Sequence, residues 1–528
     1  QLFILGAKNF KFFDYINNSR NISDIKFLDF NGDGTQDILI NSWGGNGNDH
    51  LKLYNSSSDG GYNEVFTAPG LYDAKIELID INNDGEKEIV HIGRTSEASN
   101  SQLKVYVYQQ EGNVLNGTPI DISGQFGALK YAAYGFGNID NDDDIDFAIT
   151  GFSNSGQKSN IYLNETVYTE TIAPIYTQIA TEFPTAVEST LDFFDYDGDG
   201  DLDMALTGQG IDGVMFKILQ NNGLTGDALS FTEVQNTGLI PIREAKVDFG
   251  DYNSDGYADI LYSGKVSGQG QVTKLVEFDP ETQTYVESDF DLSDIVNASI
   301  AFGDVDGDND LDFTIAGEST ANNNNIIKTY LNVRNESAIV QNSTNTSARR
   351  PIEFVVNEKP IQPAGLTTEV LSYDNELDTY KVKFTWEAST DDYTSQNGLT
   401  YALKVGTSEG DDDIMKINSL TNGYRLSAGK GNVEHKKEWI LNLPNNDYFW
   451  SVQAIDAAFS GSELSETKTI NPAISLSVRQ YELLDISVYP NPVNNGLVTI
   501  KSPLSGVKNI TLFDAIGRNV LKTELTAE

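Results

Sequence analysis

The chain has no cysteine, and only three histidines and three methionines in 528 residues. Without cysteine there is no disulfide framework and no thiolate nucleophile, and a zinc site would lack its sulfur ligands. His50, His91 and His435 are scattered, and His91, between Val90 and Ile92, reads as a packed residue rather than a base. No GxSxG, HExxH or phosphate-cradling glycine loop is present. No apolar run approaches the ~18 residues of a membrane span, and no leader is read at Gln1, which opens in a strand-like run. Positive charge is scarce: 35 Lys and Arg stand against 78 Asp and Glu, a formal net charge of −43. That balance excludes nucleic acid, whose binding rests on neutralising phosphates, and argues against an anionic membrane surface.

What the chain has instead is aspartate at fixed spacing. Residues 194–208 read FDYDGDGDLDMALTG, with carboxylates at alternate positions. Five more copies occur: 29–37 (DFNGDGTQD), 80–88 (DINNDGEKE), 138–146 (NIDNDDDID), 251–259 (DYNSDGYAD) and 304–312 (DVDGDNDLD). Their first positions are 51, 58, 57, 56 and 53 residues apart, a period that marks a repeat architecture such as a propeller or solenoid. Carboxylates this close repel by several kcal/mol at an effective dielectric of about 20, and a divalent cation removes that cost. Oxygen donors at positions 1, 3, 5 and 9, with a backbone carbonyl at 7, suit a hard cation, and Ca²⁺ accepts such a set more readily than Mg²⁺. The candidate ligands are Asp29, Asn31, Asp33, Thr35 and Asp37; Asp80, Asn82, Asp84, Glu86 and Glu88; Asn138, Asp140, Asp142, Asp144 and Asp146; Asp195, Asp197, Asp199, Asp201 and Asp203; Asp251, Asn253, Asp255, Tyr257 and Asp259; and Asp304, Asp306, Asp308, Asp310 and Asp312. Asn138 lacks a charge and weakens the third loop; the fourth and sixth, with four acids each at positions 1, 3, 5 and 9, are expected to bind tightest. About six Ca²⁺, mainly structural, follow. Acidic turns that bind nothing would not need six matching donor sets.

The helix–loop–helix calcium motif fails, because position 12, its bidentate Glu, is Ile40, His91, Ile149, Leu206, Tyr262 or Ile315. Those residues belong to short apolar runs such as DILI and DMALTG, which follow each loop, while runs such as IKFLDF and IAFGDV precede it. The unit is strand, metal loop, strand, followed by third strands such as NIYLN and KTYLN.

With Phe136-Gly137, Phe249-Gly250 and Phe302-Gly303 ahead of three loops, the units resemble FG-GAP (VCBS-type) repeats, the blades of integrin-α-like β-propellers. The resemblance implies four-stranded blades with calcium in the first hairpin. Residues 1–20 read as the third and fourth strands of a blade whose first half is missing, giving seven blades over 1–335, the favoured count, or six with an N-terminal closing strand. A polar linker, 336–350, follows. Residues 351–470 resemble a fibronectin type III-like β-sandwich, with Trp386 and the run Tyr448-Phe449-Trp450 as core anchors; Asp411, Asp412 and Asp413 read as a solvated turn. After a linker at 471–484, residues 485–528 resemble a type A C-terminal sorting domain of the type IX secretion system of Bacteroidota. That likeness rests on Tyr489, Pro490, Asn491 and Pro492, then Phe513, Asp514, Gly517 and Arg518, and the domain looks truncated.

The fold expectation is therefore all-β: a calcium-loop propeller, a β-sandwich and a small C-terminal sandwich. The functional expectation is a secreted or cell-surface type IX cargo, non-catalytic, whose propeller serves adhesion, with cell-surface glycans or proteins as ligands. The implied partners are the translocon, its shuttle barrel and the sortase-like peptidase. The alternative is a secreted propeller-fold polysaccharide-degrading enzyme, held by family analogy alone.

Overall fold

The computed structural model describes residues 21–332 and 357–473, apart from short loop segments, together with strands between 487 and 526. The expected half-blade at 1–20 and the linker at 336–350 lie outside the described residues. Residues 1–472 form one compact unit and 473–528 a second. Among the described residues no helix is long and apolar enough to cross a membrane.

The protein is all-β. Among the described residues between Asn21 and Tyr330 lie six antiparallel sheets, five of four strands and one of three, one for each acidic loop, with a small hairpin of Gln110–Glu111 and Val114–Leu115 beside them. Their first strands are Asn21–Leu28, Tyr72–Ile79, Lys130–Gly137, Leu191–Phe194, Arg243–Gly250 and Ile295–Gly303. In all six the loop closes a hairpin in one register, the residue before position 1 pairing with position 9: Leu28 with Asp37, Ile79 with Glu88, Gly137 with Asp146, Phe194 with Asp203, Gly250 with Asp259 and Gly303 with Asp312. The second strands are apolar because neighbours cover both faces; Glu88–Arg94 is buried along its whole length.

The six first strands face a common axis. Lys26, in the first sheet, lies within electrostatic reach of Asp248 in the fifth, and Lys75 in the second reaches Asp192 in the fourth. Sheets stacked in a line about 10 Å apart would hold the first and fifth about 40 Å from one another, far beyond a Debye length of about 8 Å. The arrangement is thus a ring of blades, a propeller. Along its bore Lys75 and Lys26 bond Glu77 at 2.8 and 3.3 Å, and Asp24 and Asp248 accept the backbone N–H of Ile76 (2.7 Å) and Phe302 (2.8 Å) on the next strand. Burial disfavours the Glu77 carboxylate, but the two lysines win and hold it down to about 2.

Side-chain amides stitch blade to blade at the loops. Asn164, Asn221 and Asn332, each at or just past the end of a third-strand run, donate to the carbonyl of loop position 2 in the preceding blade: Ile81 (3.1 Å), Ile139 (2.8 Å) and Tyr252 (3.0 Å). Two of the three Phe-Gly pairs have a packing reason, while a Cβ on Gly303 would meet nothing within 4 Å among the described residues. A Cβ on Gly137 or Gly250 would meet the position-8 leucine of the next blade, Leu202 at 2.5 Å or Leu311 at 2.7 Å.

Residues 367–470 form two three-stranded sheets packed on one core, a β-sandwich. Trp386, Tyr448 and Trp450 are buried in it, whereas Phe449 is half-buried. Asp413 binds Thr407 through its backbone N–H and hydroxyl, both at 2.7 Å, so the acidic triplet does shape a turn. In the second unit Ser487–Tyr489 pairs with Thr499–Lys501, and Val507–Phe513 with Asn519–Thr526. Tyr489 and Phe513 end strands there; Pro490, Asn491, Pro492, Asp514, Gly517 and Arg518 lie outside the described residues.

Replacing Asn221 by alanine removes its bonds to both Ile139 O and Leu202 O (3.1 Å) and leaves buried carbonyls unpaired. It should cost about 2 kcal/mol, read as a lower denaturant midpoint with an unchanged slope.

Candidate metal centre

The fourth loop shows how the sequence builds the site. Asp195 organises the bend: its Oδ1 accepts the N–H of Gly198 (2.8 Å) and Asp199 (3.2 Å), and its Oδ2 that of Gly200 (3.1 Å). Gly200 takes φ 94°, the left-handed conformation expected at position 6, and Gly256 does the same in the fifth loop at φ 91°. Asp203, at position 9, is fully buried and clamps the loop to the sheet. Its Oδ2 accepts Tyr196 N–H (2.8 Å) and its Oδ1 accepts Asn221 N–H on the third strand (2.7 Å). Oxygens of Asp195, Asp197 and Asp203 converge within 4.8 Å of one another, while Asp197 Oδ1 and Asp201 Oδ1 are buried with no partner. An all-oxygen set with orphaned buried carboxylate atoms fits a hard divalent cation. Asp195, Asp197 and Asp203 would hold it, and it would supply the positive charge these oxygens lack.

Position 9 repeats the clamp wherever the loop is described. Asp37, Asp146 and Asp259 each accept the position-2 N–H at 3.0, 2.7 and 2.9 Å. Each also accepts a third-strand N–H: Ser56 (2.7 Å), Asn164 (3.0 Å) and Phe278 (2.9 Å). Glu88 accepts Ile81 N–H at 3.1 Å, and Asp312 accepts Asn332 N–H at 2.7 Å. This second duty of position 9 was missed from sequence; a buried carboxylate at the head of every second strand was its signal.

The loops are unequal. In the third, Asn138 turns its amide nitrogen onto Asp142 O and leaves Oδ1 buried without a partner. In the same loop the carboxylates of Asp142, Asp146 and Asp140 lie close enough to Asp144 to disfavour its charged form. In the fifth, Asp251 bonds the N–H of Asp255 (3.0 Å) and Gly256 (2.8 Å), Asn253 bonds Asp255 N–H (2.9 Å), and Asp255 bonds that of Tyr257 (3.0 Å). Asn31, Asp80, Asn82, Asp304 and Asp310 are described at their loops. Asp29, Asp33, Thr35, Asp84, Glu86, Asp306 and Asp308 lie outside the described residues.

Burial, reinforced by neighbouring carboxylates, pushes the loop acids up in the absence of a cation: Asp195 and Asp140 to about 6 and Asp203 to about 8, with Asp201, Asp144, Asp146 and Asp259 also raised. The histidines play no part here. His91 is buried and bonds Asn41 Oδ1 at 2.9 Å; His435 bonds Leu399 O at 3.2 Å; burial drops both to about 3.

The sandwich sits on the loop end of the propeller, which sequence reasoning did not anticipate. Lys416 Nζ bonds Phe30 O (3.4 Å) beside the first loop. Lys436 Nζ bonds Asn141 O in the third, and Asn138 N–H reaches Glu434 (3.4 Å). Lys430 Nζ bonds Phe193 O (3.2 Å) and Ser395 bonds Gly198 O (3.0 Å) at the fourth. Asp251 N–H bonds Ala457 O (3.0 Å) at the fifth. Among the described residues a single sandwich hydrogen-bonds to four of the six bends, and Ala458 and Phe459 pack with Leu311 at the sixth, because the bends form a ring.

With this geometry in hand, comparison with known proteins adds the following. Residues 195–262 match the model of the FG-GAP-like repeat. No curated protein matches the chain. Among solved structures, fructofuranosidase from Schwanniomyces occidentalis complexed with fructose aligns at 8% identity and a TM-score of 0.27, over 86% of this chain and 90% of that one. A point variant of it complexed with fructosylnystose aligns at 9% and 0.24, over 83% and 86%. The expectation that the chain is not an enzyme is withdrawn against this finding. At such scores the likeness transfers no site, residue or substrate.

Without a cation, acids whose folded pKa lies above the unfolded value stabilise the fold only while protonated. The chelated protein should therefore lose stability as pH rises from 3.8 toward about 8, the span between the unfolded and folded values of Asp203. Millimolar calcium should remove that loss. Melting temperature against pH, with chelator and with calcium, checks it.

Proposed function

We propose that the chain is an exported, surface-facing protein whose calcium-loaded propeller binds cell-surface polysaccharide, and that residues 485–528 belong to a type IX sorting signal. One observation carries the reading: the oxygen cluster of Asp195, Asp197 and Asp203, in a loop that the sequence repeats six times. Loops of this donor type act as structural locks at the millimolar calcium found outside cells. About six Ca²⁺ per chain, one for each bend, are proposed on the same ground. The translocon, its shuttle barrel and the sortase-like peptidase are the proposed export partners, by the resemblance of the Tyr489 and Phe513 segments. Degradation of the bound polysaccharide is the second reading, held by analogy with other propeller proteins.

Both readings are tested on the full chain. Deleting residues 486–528 should abolish export; export of the shortened chain at the normal level would contradict the sorting assignment. Incubation with neutral and acidic polysaccharides should show retention of at least one, and new chain ends would establish degradation.

A further inference from the structure

The sandwich occupies the loop end of the ring, so among the described residues the opposite end of the first strands is the mouth that this domain leaves uncovered. Its rim is unusual in backbone and in chemistry. Seven residues before position 1, four blades carry a non-glycine residue in the left-handed region, three within the first strand and one just ahead of it: Tyr131 (φ 50°), Glu244 (φ 49°) and Asn297 (φ 52°), and Glu188 (φ 50°). Three of these, Tyr131, Glu244 and Asn297, fall where the ladder skips register between Lys130 and Ala133, Arg243 and Lys246, and Val296 and Ser299. Such bulges re-aim side chains and gather beside sites, and a bulky residue at positive φ is an outlier. The backbone here is over-determined by its surroundings. Gly208, for example, leaves no room for a Cβ, which would lie 2.7 Å from Ser189 Cβ and 2.8 Å from Val187 O.

The side chains at this rim form two groups. On the second and third blades Arg94 lies 4.6 Å from the Tyr72 ring and 5.6 Å from the Tyr131 ring. Tyr131 is nevertheless 52% exposed, and Phe152, which pairs with Lys130 on the adjoining strand, is 44% exposed. On the fourth and fifth blades Arg243 bonds Glu188 and Glu244 (2.9 Å), with Lys265 on Glu244 (3.4 Å). A cavity of about 410 Å³ opens beside this network, lined among others by Glu188, Gln209, Arg243, Lys265 and Ser267, within the size range of ligand sites. The charges named at the rim, Arg94, Arg243 and Lys265 against Glu188 and Glu244, leave a single positive charge, and both acids are paired. Exposed rings with a polar body, next to paired donors and acceptors and with little net charge, suit a ligand with apolar ring faces and many hydroxyls.

We propose that this open mouth is a binding site for a neutral polysaccharide, with a sugar ring stacked on Tyr131 and its neighbours' hydroxyls held by the Glu188–Arg243–Glu244 network. The site rests on the polysaccharide reading above and adds its location and the charge class of the ligand.

The test uses the full calcium-loaded chain, with dextran, laminarin and inulin as neutral probes and hyaluronan as the acidic one, in affinity electrophoresis. Wild type should be retarded by at least one neutral probe. Tyr131→Ala should weaken that retardation about tenfold, as removal of a stacked aromatic anchor does, and Tyr131→Phe should keep it. Both variants should melt within a degree or two of wild type, the substituted ring being exposed. Equal retardation of wild type and Tyr131→Ala would overturn the location and leave polysaccharide binding intact. Retardation by hyaluronan alone would overturn the neutral class. No retardation of wild type by any probe would overturn the site and the functional reading together.

Discussion

The fourth hairpin bend gathers carboxylates that water would keep apart, and the sequence repeats its acidic spacing at five more. Two ionised oxygens 4.8 Å apart repel by about 3 kcal/mol at an effective dielectric of 20, and a bend holds several such pairs. Backbone N–H groups answer part of this: Asp195 alone takes three. They do not answer all of it, because Asp197 Oδ1 and Asp201 Oδ1 stay buried and unpartnered. A divalent cation held by Asp195, Asp197 and Asp203 would supply the missing charge at this bend, and the blades on either side are tied to it.

The dependence is mechanical as well as electrostatic. Position 9 holds its own bend to the third strand, and the asparagine there holds the preceding blade's bend in turn, as in Asn221 to Ile139 O. A bend that opened would therefore loosen two blades. The sandwich adds a third tie, reaching Phe30, Asn141, Gly198 and Asp251 from one side. In a protein without cysteine, these ties do the cross-linking that disulfides do elsewhere, and they leave the far mouth of the ring free of this domain.

Much of this was legible in the residues. The fixed period of the acidic loops, apolar runs on either side and the Phe-Gly pairs gave sheets, hairpins and ring, because metal donors and buried strands both impose local spacing. The buried Trp386, Tyr448 and Trp450 were legible for the same reason. What stayed hidden depends on partners far apart in the chain. No local pattern says that Lys416 meets Phe30, 386 residues away, or that Lys26 faces Asp248 across the bore. Positive φ at Tyr131 and Glu244 was equally invisible, since those residue types usually avoid it and it falls where the ladder skips register. The non-catalytic expectation had weaker support than the fold, for it rested on missing motifs.

The most direct measurement is a calorimetric titration of calcium into the full chain after chelator stripping. The account predicts saturable binding of several ions per chain, with Asp197→Asn plus Asp203→Asn removing one ion from the count. A chain that takes up no calcium at millimolar concentration while remaining folded would contradict it.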